Sequence, residues 1–268
     1  MPIITLTSDY GPERFYAGIL RGALLAAVPD ANIVDLTHDI RKHSANDAAL
    51  ILRSSVVHFP KGTIHIIAVS TESTPEKPHR IVRIEDQYFI GADTGTFHLI
   101  FGKEPDAVFD LSNMMADFDY PTFPERSLFV PAAAHLARGG IPELLGRPAS
   151  LVNSKNTLNP VYADHVLTGH VIYIDGYGNC MTDIDKQLFK EVGTDRSFVI
   201  VMRSSRSDIR KIDNSYSEVP IGESVAVFNH LGLLEIAVNG GSPSNGNVGA
   251  SGLLGIKLDD VIRIEFAQ

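Results

Sequence analysis

Ile3-Ile4-Thr5-Leu6-Thr7-Ser8-Asp9-Tyr10-Gly11 is an apolar run that stops in a polar turn. Its first five residues read as a buried strand, and Phe15, Ile19, Ala23 and Leu24 then recur at helical spacing. Pro12 suits the first turn of that helix. The alternation continues. Ile33 to Leu36 predicts a second strand, Ala48 to Val57 a second helix ending before Pro60-Lys61-Gly62, and Ile64 to Val69 a third strand. Strands alternating with helices imply an α/β domain with a mostly parallel central sheet, whose ligands collect beyond the carboxyl ends of the strands. Asp9, Asp35 and Ser70 all fall near such ends.

Further along, Ile81 to Ile84 and Gln87 to Ile90 predict a hairpin turning at Glu85-Asp86, and Pro131 to Arg138 a short helix stopped by Gly139-Gly140. From Arg147 to Asp164 the texture changes to Pro, Ser and Asn without periodicity. The expected division is a domain at 1–150, a linker at 151–164 and a second domain at 165–268. The last region shows only β-like runs, at Gly169 to Ile174, Ser197 to Met202, Ser224 to Phe228, Leu233 to Val238 and Val261 to Phe266. Short strands between turn residues predict a small barrel or sandwich. Gly240 to Gly252 reads as a mobile loop rather than a phosphate cradle.

Composition excludes several classes. The formal charge of −9 argues against general phosphate-backbone binding, so no nucleic-acid partner is expected. Cys180 is the only cysteine, which excludes an intrachain disulfide and a thiolate zinc cage. No basic leader precedes Ile3, and no apolar run approaches the ~20 residues of a membrane span. The expectation is a cytoplasmic protein with no membrane partner. No His or carboxylate cluster has ligand spacing, so no metal is expected.

Five segments, taken in order, resemble the S-adenosylmethionine (SAM) hydroxide adenosyltransferase family, which includes SAM-dependent chlorinases and fluorinases. They are T-S-D-Y-G at Thr7 to Gly11, I-V-D-L-T-H-D-I at Ile33 to Ile40, F-P-K-G-T-I-H-I at Phe59 to Ile66, I-D-G-Y-G-N-C-M-T-D-I at Ile174 to Ile184, and F-N-H-L-G-L-L-E-I-A-V-N at Phe228 to Asn239. The resemblance implies an N-terminal α/β domain and a C-terminal all-β barrel. It also implies a homotrimer with the adenosyl ligand at the subunit interface, and no cofactor apart from SAM as substrate or ligand. The implied reaction is attack of water or halide on ribose C5′ with methionine leaving. A neutral thioether departs, so aligning the nucleophile and stripping its water carry the step.

By this resemblance Asp9 accepts hydrogen bonds from the ribose hydroxyls, Asp175 meets the methionine ammonium, Tyr177 packs on adenine and Asn179 reads an adenine edge. Phe123 and His230 join them as ligand-binding positions. The residues alone leave other readings open: Asp9 as a helix cap, Asp175 to Asn179 as an ordinary turn. The family's hydrolases carry a water-activating Asp, Arg and His, and its halogenases replace that Asp by an aromatic. Here Ser70 stands at the Asp position and Pro124 at the His position, while Arg80 matches the Arg, with Lys77 the alternative by strict spacing. Ser70 and Arg80 are thus the catalytic candidates, with two triad members absent. Glu72, His79 and Glu125 lie near the lost positions, either as substitute bases or as solvated loop charges. His38, His65 and His98 read as core or turn histidines, and Asp93 as a turn residue or a ligand contact. The leading expectation is hydrolysis of SAM to adenosine and methionine. The alternative is an inactive member that senses or sequesters an adenine nucleoside. A halogenase is disfavoured, since Ser70 offers no aromatic wall to a dry halide pocket.

Overall fold

The computed structural model describes residues 1–11, 15–112, 122–153, 159–202, 207–241 and 248–267. Pro12, expected in the first helical turn, lies outside them. The chain divides into two compact units, Met1–Asn156 and Thr157–Gln268.

In the first unit β1 (Ile3–Ser8), α1 (Phe15–Ala27), β2 (Asn32–Thr37), α2 (Ala45–Ser55) and β3 (Ile64–Ala68) alternate as expected. Then come β4 (His79–Ile84), β5 (Gln87–Ala92), α3 (Thr96–Phe101), β6 (Ala107–Asp110), α4 (Val130–Ala137) and β7 (Arg147–Pro148). The sheet order is β2-β1-β3-β5-β4-β6-β7. Strands β2, β1, β3 and β5 pair in parallel, whereas β4, β6 and β7 are antiparallel additions. The sheet is therefore half parallel rather than mostly parallel. The cause is the Glu85-Asp86 turn, where both residues take positive φ, 51° and 61°, as the favoured two-residue hairpin turns require. It returns β5 alongside β3 with β4 outside it. Lys103 pairs with Glu85 and Lys61 with Asp86, and Glu85 N–H donates to Asp106 at 2.9 Å.

Both sheet faces are covered. On one, Leu20 and Leu24 of α1 and Val130, Ala133 and Leu136 of α4 pack against Ile4, Leu6, Ile66, Ile81 and Ile90. On the other, Ala48, Ala49 and Leu52 of α2 and Phe97 and Ile100 of α3 cover Ile67, Val82, Phe89 and Val108. Ile81 and Val82 go to opposite faces, as the two-residue period of a strand demands. Helix α2 begins three residues before the apolar run that predicts it, because Ser44 caps it by accepting from Asp47 N–H at 3.2 Å.

The second unit holds β8 (Val161–Ala163), β9 (Val166–Ile174), β10 (Cys180–Asp185), α5 (Lys186–Gly193), β11 (Phe198–Val201), β12 (Ser224–Phe228), β13 (Leu233–Val238), α6 (Ala250–Leu253) and β14 (Val261–Phe266). Its curled antiparallel sheet runs β11-β14-β9-β10-β13-β12, with β8 added on β9. Helix α5 is an addition to the strand-only expectation. Asp185 caps it through Leu188 N–H at 2.8 Å, and Leu188, Phe189 and Val192 pack onto the β core. Part of Gly240 to Gly252 also departs from the loop reading: α6 forms there, although 242–247 lie outside the described residues.

Candidate functional site

The carboxyl ends of β1 and β3 gather a cluster of polar side chains in the first unit. Strand β1 delivers Asp9 and Tyr10, β3 delivers Ser70 and Thr71, the loop before α2 delivers His43, and the turn entering α4 delivers Glu125. Asp9 is nearly buried, and its Oδ2 accepts the His43 backbone N–H at 2.9 Å. His43 Nδ1 lies 3.3 Å from Ser70 Oγ. Lys42 donates to the Asp9 carbonyl, and Asp9 N–H donates to the Ala68 carbonyl at 3.3 Å, tying the two strand ends together. Ser70 and His43 both take left-handed backbone conformations, φ 53° and 61°, which are uncommon away from glycine. Such backbone outliers concentrate at functional sites.

Glu125 corrects the solvated-charge reading, being only 4% exposed. Its Oε1 accepts hydrogen bonds from Tyr10 OH at 3.0 Å and Thr71 Oγ1 at 2.9 Å. Burial pushes its carboxyl above the ordinary range, and the Asp9 charge acts in the same direction. Burial and the Glu125 charge likewise raise the Tyr10 phenol. Residues Glu125–Phe129 form a single π-helical turn, closed by Val130 N–H on the Glu125 carbonyl, with Pro124 just before it. Phe123 meets Tyr10 and Tyr16 edge-on, at ring separations of 6.4 and 5.6 Å, and so forms an aromatic wall beside the cluster.

His79 is buried too, with Nε2 2.7 Å from the Thr71 carbonyl and its ring edge-on to Phe129 at 5.0 Å. Only Glu72 is the solvated charge expected. Arg80, one residue after His79 in β4, points to the opposite face of the sheet. Its Nη1 pairs with Asp110 Oδ1 at 2.9 Å, and it lines a surface pocket of about 460 Å³ with Ser73, Thr74, Ser112 and Val152. Among the described residues Ser70 meets His43 and Arg80 meets Asp110, and no hydrogen bond joins the two catalytic candidates. Lys77 lies in the exposed turn between β3 and β4. Asp35 also stands apart, paired with Arg21 and 3.4 Å from His38. Asp93 takes the turn role: its Oδ2 accepts Val152 N–H at 2.6 Å, and Asn153 Nδ2 donates to its carbonyl at 2.6 Å.

In the second unit Asp175, Tyr177 and Asn179 occupy one turn between β9 and β10. The Asp175 carboxylate accepts from the Tyr177 and Asn179 backbone N–H groups, both at 2.9 Å, and from Asn179 Nδ2 at 3.1 Å. The turn reading is thus realised, and the Asn179 amide N–H is engaged within it. The same bonds thrust Tyr177 outward, 63% exposed. Gly249 supports the turn from behind. A Cβ there would meet the Tyr177 carbonyl at 2.1 Å, so only glycine permits the approach. His230 is exposed in the β12–β13 turn, which Asn229 shapes by accepting from Leu231 and Leu233 N–H. Among the described residues, no group of three or more His, Cys, Asp or Glu is placed to hold a metal ion, and no helix is long and apolar enough to cross a membrane.

Residues 4–146 match the SAM hydroxide adenosyltransferase N-terminal domain and residues 169–263 the C-terminal domain of the same family. The chain belongs to the SAM hydroxide adenosyltransferase family. It is 29% identical to an (R)-S-adenosyl-L-methionine hydrolase of Thermus thermophilus over 88% of this chain and 91% of that protein. It is 24% identical to an (R)-S-adenosyl-L-methionine hydrolase of Methanocaldococcus jannaschii, over 88% of each. The crystal structure of an uncharacterised conserved protein from Thermotoga maritima superposes with a TM-score of 0.83 at 26% identity, covering 98% of this chain and 99% of that one.

Proposed function

We propose that the chain hydrolyses SAM to adenosine and methionine by attack of water on ribose C5′. The observation that carries this reading is the polar cluster of Asp9, His43, Ser70 and Glu125 at the sheet's carboxyl edge, in a chain similar along most of its length to SAM hydrolases. A cluster of hydroxyl, imidazole and carboxylate groups holds a water better than it holds a dehydrated halide. Asp9 receives the ribose hydroxyls, and Phe123 lies beside the nucleoside. Asp175, Tyr177, Asn179 and His230 serve the adenine and amino-acid ends. The exposed Tyr177 is the natural stacking surface. These C-terminal residues act across subunit contacts of a cytoplasmic homotrimer, with the second unit's curled sheet completing a barrel.

Incubating the purified protein with SAM and quantifying adenosine and methionine tests the reaction. Equal molar amounts of both products above a buffer control are expected. SAM affinity without adenosine would replace the hydrolase reading by a binding protein, and a halide-dependent 5′-halo-nucleoside would replace it by a halogenase.

The placement of Asp9 gives a second expectation. Asp9→Ala should weaken nucleoside binding by roughly 1.5–3 kcal/mol, the loss of charge-assisted hydrogen bonds. Asp9→Asn keeps an acceptor for the His43 N–H and separates ligand contact from bracing. Calorimetric titration with adenosine decides: Asp9→Asn should also bind more weakly than wild type, and affinity unchanged in both variants would reassign Asp9 to the loop alone.

A further inference from the structure

We propose that Glu125 is the general base of this site, taking the proton of the attacking water in place of the carboxylate that position 70 lacks. The inference rests on the hydrolase reading above and names the group that completes it.

Three observations converge on Glu125. It is buried, and among the described residues no Lys or Arg forms an ion pair with it. A buried carboxylate without a cation partner is costly to keep, and such groups concentrate at functional sites. Its orientation is fixed from two sides, because Tyr10 and Thr71 leave the same strand ends as Asp9 and Ser70 and both donate to Oε1. The Glu125 backbone N–H adds a further hydrogen bond to the carboxylate, and among the described residues no side chain donates to Oε2, the oxygen assigned to the water. Finally, Glu125 opens a π-helical turn, an irregularity frequent at functional sites.

The step balances without a co-reactant. A water lone pair forms the O–C5′ bond as the C5′–S bond breaks, and the bonding pair stays on sulfur as the methionine thioether. The water proton passes to Glu125 Oε2 and then to solvent. A buried carboxyl whose pKa is raised is a stronger base than an exposed glutamate. His43 is the competitor, with its ring at Ser70. It is exposed, whereas the reaction needs a site that strips water from the nucleophile.

Glu125→Gln keeps the acceptor for the Tyr10 and Thr71 hydroxyls and removes the base. It should lower kcat for adenosine release by roughly 10²-fold or more while SAM affinity stays within a few-fold of wild type. Glu125→Asp should recover part of the rate. In wild type, kcat should rise with pH along a limb centred above the ordinary glutamate range, and this readout does not depend on a variant folding. Near-wild-type turnover in Glu125→Gln, a flat profile through that limb, or a comparable loss only in His43→Ala would each overturn Glu125 and leave the hydrolase reading standing. Absence of adenosine from wild type would overturn both.

Discussion

Replacing Phe89 by alanine is expected to cost about 3–5 kcal/mol of folding stability, the range for emptying a fully buried phenylalanine site. Phe89 is completely buried in β5, between β3 and β4. Its ring stacks on His65 at 4.6 Å with an interplanar angle of 21°, and it meets Phe101 edge-on at 4.8 Å. These neighbours belong to β3 and α3, so the cavity would open between the parallel half of the sheet and its helical cover. Little can collapse into it, because His65 and Gln87 are held by hydrogen bonds of their own. Urea unfolding should show a lower midpoint with an unchanged slope. A loss below 1 kcal/mol would mean that the face repacks freely.

His65 beneath that ring sets the second expectation, an acid sensitivity of about 3 kcal/mol. Gln87 Nε2 donates to the Val56 and Phe59 carbonyls, so its Oε1 must accept from His65 Nε2–H at 3.2 Å. His65 Nδ1 then accepts from the Thr5 hydroxyl at 2.7 Å. This satisfies the neutral imidazole fully, and a second ring proton would have to turn the Thr5 hydroxyl from donor to acceptor. Burial accordingly lowers its pKa to about 4, against the small opposing effect of Gln87. The sign follows from proton counting. The unfolded chain takes up this proton near pH 6.5, and the folded chain resists until about 4. Stability is therefore complete above 6.5 and is lost as pH falls from 6.5 toward 4, by about 3 kcal/mol at 1.36 kcal/mol per pH unit. Unfolding free energies at pH 7.5 and 4.5 should fall more steeply in wild type than in His65→Phe, whose ring cannot titrate. Parallel slopes would remove His65 as the cause. Phe89→Ala should also soften the dependence by hydrating the imidazole, so the two effects are not additive.

The elements legible in the sequence were those with an apolar run of one period, such as β1, β3 and α1. Helix α2 began early because Ser-Ala-Asn-Asp at 44–47 reads as polar loop, although Ser44 three residues before Asp47 is itself a start signal. Helix α5 was missed although Asp185 precedes an amphipathic Leu188, Phe189, Val192 pattern; eight residues give too little periodicity to stand out between strands. At the site, Asp9 and Ser70 could be placed because they end strands. Arg80 could not, since its face depends on strand parity and a shift of one residue reverses it. Glu125 and His43 were hidden for a different reason. Burial of a glutamate in T-F-P-E-R-S and the reach of a loop histidine to Ser70 arise from tertiary packing, which no local pattern encodes.

The π-helical turn has a consequence for how this site can change over time. It holds one residue more than the regular helical path would need, and each residue of an α-helix turns the next by ~100°. Losing that residue would swing the carboxylate of Glu125 away from Tyr10 and Thr71 without altering a single side chain. Insertion and deletion, rather than substitution, are therefore the changes to which this carboxylate's aim is most exposed. Relatives that differ here by one residue in length are the lineages in which its task would have to pass to another group.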